Sequence, residues 1–222
     1  RQKRRRSARL KDLSSHVDIR YRRCSLVAYR QVSLKKGSIW QLLAERNLPE
    51  TISAWTLLPS VAKDFKGGVP PEGWQGVIFA VLPPQENVIV NLQALYNSQE
   101  FRAALEREKG SIDGYFDGAG RYAGSQCEVV LEIDRLDSAD VYALGGYSSD
   151  RDTLIRMMFG QDPTPETIAW FDRHSRMAGV GPGAMWLEGQ PLQNVLERMK
   201  PHIERLKEIK ADRARRQSRS QI

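Results

Sequence analysis

GRYAGSQCEVVLEID, Gly120 to Asp134, is a loop of glycines and small residues that runs straight into an apolar stretch of strand character. Gln126 and Glu128 stand at the junction, with Cys127 between them. Residues two apart in a strand point to one face. The spacing therefore predicts an amide and a carboxylate side by side at the start of a strand, with Cys127 turned into the core. Burying an acid costs free energy, so a carboxylate at this point calls for a task.

Strand and helix patterns extend outward from this stretch. Upstream, YRRCSLVAYRQVS (Tyr21 to Ser33) contains the apolar run Cys24–Tyr29 and predicts a first buried strand. KKGSIWQLLAERNLP predicts a short helix with Ser38 as N-cap and Pro49 beyond its end. LPSVAKDFKGG predicts another, closed by Gly67 and Gly68. WQGVIFAVLPP is a strong strand, and NVIVNLQALY continues in strand fashion into a helix capped at Asn97 or Ser98 and ended by Gly110. After CEVVLEI and ADVYALGGY the pattern becomes helical. Thr164, Pro165 and Thr167 open one such helix, and an apolar stripe from Leu192 to Ile209 is interrupted at Pro201. The layout is α+β: a basic arm over residues 1–20, a strand-rich core over 21–147 and a C-terminal helical segment over 148–222.

Composition narrows the classes of function. The 222 residues are 41% hydrophobic and 27% charged, which suits a globular domain with a proper core. No apolar run is long enough to span a bilayer, and no apolar region follows the basic start to make a signal peptide. Cys24 and Cys127 are too few for a disulfide framework, and a reducing, cytoplasmic setting suits them. His16, His174 and His202 lack metal-ligand spacing, so no metal is expected. The net charge of +7 is concentrated in RQKRRR, in Arg20, Arg22 and Arg23, and in KADRARRQSR. Such runs bind polyanions through counterion release or form solvated tails. Neither a dinucleotide fingerprint nor a phosphate-binding Walker loop is present.

Three stretches occur in an informative order. Arg30 ends the apolar run Leu26-Val27-Ala28-Tyr29, and Ser53-Ala54-Trp55-Thr56 leads into Leu57-Leu58-Pro59-Ser60-Val61-Ala62-Lys63-Asp64-Phe65. Gln126-Cys127-Glu128 comes last. Together they resemble the Arg / Ser-Thr-Ser / Gln-x-Glu signature of mono-ADP-ribosyltransferases, the branch that includes clostridial C3-like and pierisin-like toxins. The resemblance spans roughly Cys24 to Leu144.

The resemblance implies a split β-sheet core with an NAD cleft, NAD serving as co-substrate and no metal. Arg30 would hold the NAD phosphates, a use suited to the bidentate guanidinium. Glu128 would be the catalytic carboxylate that stabilises the oxocarbenium-like ribose. Gln126 would orient the acceptor and argues against an arginine acceptor. The Ser-Thr-Ser position falls on Ala54-Trp55-Thr56, so Thr56 alone keeps a hydroxyl unless the register slips and Ser53 serves. Trp55 is expected either against the nicotinamide ring or in the core. In the glycine-rich loop before Gln126, Tyr122 is the expected target-recognition residue. The cationic excess tilts the acceptor toward nucleic acid, RNA or DNA, with a protein asparagine or glutamine as the alternative. An antitoxin or immunity protein is an implied partner. The rivals are a non-catalytic nucleic-acid-binding module, with Trp40, Trp74 and Trp170 stacking on bases, and a particle-associated component.

Overall fold

The computed structural model describes residues 2–46, 48, 50–122 and 124–219, and within these the side chains of residues 2–7, 122 and 217–219 lie outside the description. Helix α1 (Gln2–Ser15) comes first, then strand β1 (Ala28–Lys35), helix α2 (Ser38–Glu45), strand β2 (Ile52–Thr56) and helix α3 (Pro59–Asp64). Strands β3 (Trp74–Val81) and β4 (Val88–Asn91) are followed by helices α4 (Leu92–Asn97), α5 (Gln99–Glu108) and α6 (Ala119–Tyr122). Then come β5 (Glu128–Glu132), β6 (Val141–Tyr147), α7 (Arg151–Phe159), α8 (Pro165–Ala178), β7 (Ala184–Leu187) and α9 (Gly189–Arg219). The architecture is mixed helix and strand, with a seven-strand antiparallel open sheet in the order β4-β5-β2-β1-β3-β6-β7. Among the described residues no helix is long and apolar enough to cross a membrane.

The chain divides into two compact units. One comprises residues 1–30, 48–62 and 80–135, and the other residues 31–47, 63–79 and 136–222. In the first, β5 lies between β4 and β2, with Val129 and Leu131 fully buried. Val130, on the other face of β5, packs with Ile89, Val90 and the helix residues Leu92 and Leu95. In the second unit β6 pairs β3 on one side and β7 on the other, and α9 packs against α2.

Several elements differ from the sequence-based expectation. Only the last two residues of Cys24–Tyr29 are strand: Ile19–Arg22 forms a 3-10 turn, Cys24–Val27 lies outside the sheet, and β1 starts at Ala28. The strand read into NVIVNLQALY stops at Asn91, whose side chain accepts from the Ala94 N–H at 3.0 Å and starts α4. Gly37, in the left-handed region, precedes α2 in place of a Ser38 cap, and Pro49 lies outside the described residues. Residues 148–222 are not wholly helical, because Ala184–Leu187 adds β7 to the sheet. Helix α9 also continues through Pro201. The caps at Ser98 and Thr164 are as expected: Ser98 accepts from the Phe101 N–H, and Thr164 and Thr167 form a reciprocal capping box.

Candidate active site around Glu128

Glu128 opens β5 opposite Thr56, the last residue of β2, and Thr56 in turn faces Tyr29 on β1. Directly opposed residues share a face, so Tyr29, Thr56 and Glu128 form one row across three strands. The Thr56 hydroxyl donates to the Gln126 carbonyl at 2.6 Å and accepts from the Leu58 N–H at 3.2 Å, while the Leu57 N–H donates to the Cys127 carbonyl at 2.9 Å. These bonds pin the turn that leads into Glu128. Thr56 thus spends its hydroxyl on the backbone, and Glu128 receives none of it.

Cys127 has a φ of +46°. A left-handed residue breaks strand alternation, so the two-apart rule does not apply across it. Cys127 is half-buried and does not turn away into the core; Gln126, Cys127 and Glu128 all line one cavity of about 460 Å³. Leu92, Tyr96 and Phe101 from α4 and α5 line it as well. Tyr96 and Phe101 meet edge to face at 5.5 Å, and the Tyr96 hydroxyl donates to the Ala119 carbonyl at 3.2 Å, tying the helix to the glycine-rich loop.

Among the described residues the Glu128 carboxylate has no hydrogen bond or ion pair, and burial pushes its carboxyl above the ordinary 4.5. Burial also raises the Tyr96 hydroxyl, with the charge of Glu128 adding to the effect. An uncompensated carboxylate facing aromatic walls favours a group that becomes cationic, through its own charge and through the negative faces of the rings.

The remaining expected site residues lie elsewhere. Ser53 and Trp55 are buried, and the Trp55 indole N–H donates to the Ser53 hydroxyl at 3.1 Å. They occupy the β2 face opposite Thr56 and pack into the interior beside Val129 and Leu131. Trp55 is therefore a core residue, the second of its two expected places, with almost no surface open to a nicotinamide ring. Ala54 does share Glu128's face, diagonal to it through the Ala54–Val130 pair, and supplies no hydroxyl.

Arg30 follows Tyr29, so alternation sends it to the face away from Glu128, and it lines none of this cavity. Its Nη2 donates to Glu50 at 3.4 Å, its Nη1 is buried without a partner among the described residues, and burial lowers its pKa against the opposing pull of Glu50. The side chain of Tyr122 lies outside the described residues. In the same loop Phe116 is 76% exposed and meets Tyr115 edge to face. Tyr96 and Phe101 are the site residues that sequence reasoning missed, because no spacing within 92–101 announces a contact with residue 128.

Comparison with family models, with curated proteins and with solved structures returned no match to this chain.

Proposed function

We propose that the chain is an NAD-dependent mono-ADP-ribosyltransferase with a non-arginine acceptor, a nucleic-acid base in preference to a protein asparagine or glutamine. The observation that carries this reading is the unpartnered, half-buried Glu128 carboxylate in a cavity it shares with Gln126. In the transfer, the bond between the ribose C1′ and the nicotinamide nitrogen breaks and nicotinamide leaves with the bonding pair. The acceptor nucleophile then bonds C1′ and loses its proton. Positive charge builds on the ribose as the bond breaks, and an ionised Glu128 stabilises it. Gln126, on the same cavity wall, offers both a donor and an acceptor for orienting the incoming base. A chain with net charge +7 draws a polyanionic acceptor.

Incubation with NAD labelled in its ADP-ribose part, together with RNA, DNA or cell protein, tests the reading. Label is expected on nucleic acid, with a drop of about a hundredfold or more in Glu128→Ala, the scale of losing a group that stabilises transition-state charge. Label on protein alone moves the acceptor to an asparagine or glutamine side chain. Neither transfer nor NAD hydrolysis overturns the proposal.

A further inference from the structure

A second cleft in the same unit, of about 560 Å³, lies between the segment Ile19–Leu26 and residues Leu57, Gln85 and Asn91. Arg22 and Arg23 both line it, and among the described residues no acidic one does. The Arg22 Nε is buried and has no hydrogen-bond partner among the described residues. Among the described residues neither arginine reaches a carboxylate, whereas nearby Arg20 bonds Glu100 at 3.2 Å and lies 3.6 Å from Asp18. A buried guanidinium nitrogen left unpaired is unusual, because an unmet buried donor costs free energy.

The backbone beneath these two arginines is held firmly. The Asn91 amide donates to the Arg23 carbonyl and the Gln85 amide to the Cys24 carbonyl, each at 2.8 Å. Both amides are therefore committed to the chain path, and Arg22 and Arg23 are the charged residues among those that line the cleft. Ile19 and Leu26, half or more exposed, give the cleft apolar rims, and Leu57 adds a further apolar wall.

We propose that this cleft binds the phosphate of a small organic phosphate, such as a nucleoside diphosphate. Two guanidinium forks on a fixed backbone match phosphate oxygens, and a cleft of this volume is of small-molecule size with apolar walls for the rest of the ligand. A nucleic-acid backbone offers the same phosphate chemistry from a longer source. The proposal rests on the cleft alone and does not require the transferase reading.

Isothermal titration of the full chain with inorganic pyrophosphate, with ADP and with a short single-stranded oligonucleotide tests it at one fixed salt concentration. Pyrophosphate and ADP are expected to bind, and Arg22→Gln or Arg23→Gln to weaken each about tenfold, the scale of one charge-assisted hydrogen bond. Arg22→Lys keeps the charge without the fork and is expected to restore little. Arg23 has an exposed side chain, so its variant is informative even where Arg22→Gln fails to fold. Arg156→Gln, which removes the partner of Asp162 in the other unit, is expected to bind like the parent. Absence of pyrophosphate and ADP binding, or equal weakening by Arg156→Gln, overturns the proposal. Binding of the oligonucleotide alone, lost in the same variants, overturns the small-ligand assignment and gives the cleft to a nucleic-acid backbone.

Discussion

Burial raises the Glu128 carboxyl above 4.5, with no hydrogen bond or cation among the described residues to offset it. The folded protein therefore holds this proton more tightly than the unfolded chain does. Stability from the protonated carboxyl is fully present below the unfolded glutamate pKa and is lost as pH rises through the raised folded value. Glu128→Gln keeps the shape and removes the charge, so it is expected to unfold at a higher temperature than the parent at neutral pH, by roughly 1–3 °C for a chain of this size. The gain should fade as pH drops toward about 4.3, where the unfolded glutamate is itself half protonated. Thermal unfolding of both proteins across that range checks this, and a gain unchanged by pH would show that packing, not charge, separates them. If the transferase reading holds, catalysis needs the ionised form, and the acid limb of the rate profile lies above that of an ordinary glutamate.

Strand β7 shows how elements without a sequence signal are fixed by what packs on them. Trp186 on β7 pairs with Gly145 on β6, and Gly145 pairs with Gly76 on β3. A Cβ at Gly145 would stand 2.5 Å from the Trp186 ring, and one at Gly76 would stand 2.7 Å from it. The indole thus lies across two strands at the one place where both lack side chains. Gly145→Ala is expected to cost about 1–3 kcal/mol by overpacking, read as a lower denaturation midpoint. Gly146→Ala, with nothing within 4 Å of its Cβ, should be close to neutral. Nothing in the sequence marks the glycine pair as the seat of an indole, and AMWL is too short and too evenly apolar to announce a strand. Capped helices and long apolar strands were legible, because Thr164, Pro165 and Ser98 act locally and GVIFAV has one reading. The candidate site was legible only in part. Gln126 and Glu128 do share a cavity, but through the left-handed Cys127 and not through alternation, and Arg30 lies on the other face because it directly follows Tyr29 in β1. Pro201 was expected to interrupt the stripe it sits in. Helix α9 continues through it, with Leu192, Leu196 and Ile203 buried on both sides of the proline.

At the scale of the whole molecule, the charge of +7 is unevenly placed, and that placement carries a consequence for the proposed acceptor. The last described turns of α9 hold Arg213, Arg215 and Arg216, all exposed, with Asp212 3.7 Å from Arg215. Exposed cations on a helix end attract a polyanion through released counterions without reading its sequence. Binding of single-stranded RNA or DNA should therefore weaken linearly on a plot of log affinity against log salt. Replacing the three arginines by glutamine should reduce that slope by about 2, at about 0.7 per lost phosphate contact. These residues have no part in the Glu128 cavity, so hydrolysis of NAD in the absence of acceptor is expected to continue at the parent rate. Transfer to nucleic acid should lose efficiency through a higher KM for the acceptor, with little change in kcat. Filter binding across salt concentrations gives the slope, and parallel rates with and without acceptor give the split. A slope unchanged in the triple variant would place the phosphate contacts elsewhere on the molecule. A fall in acceptor-free hydrolysis would mean that α9 supports the catalytic unit itself and does not act only on the polyanion.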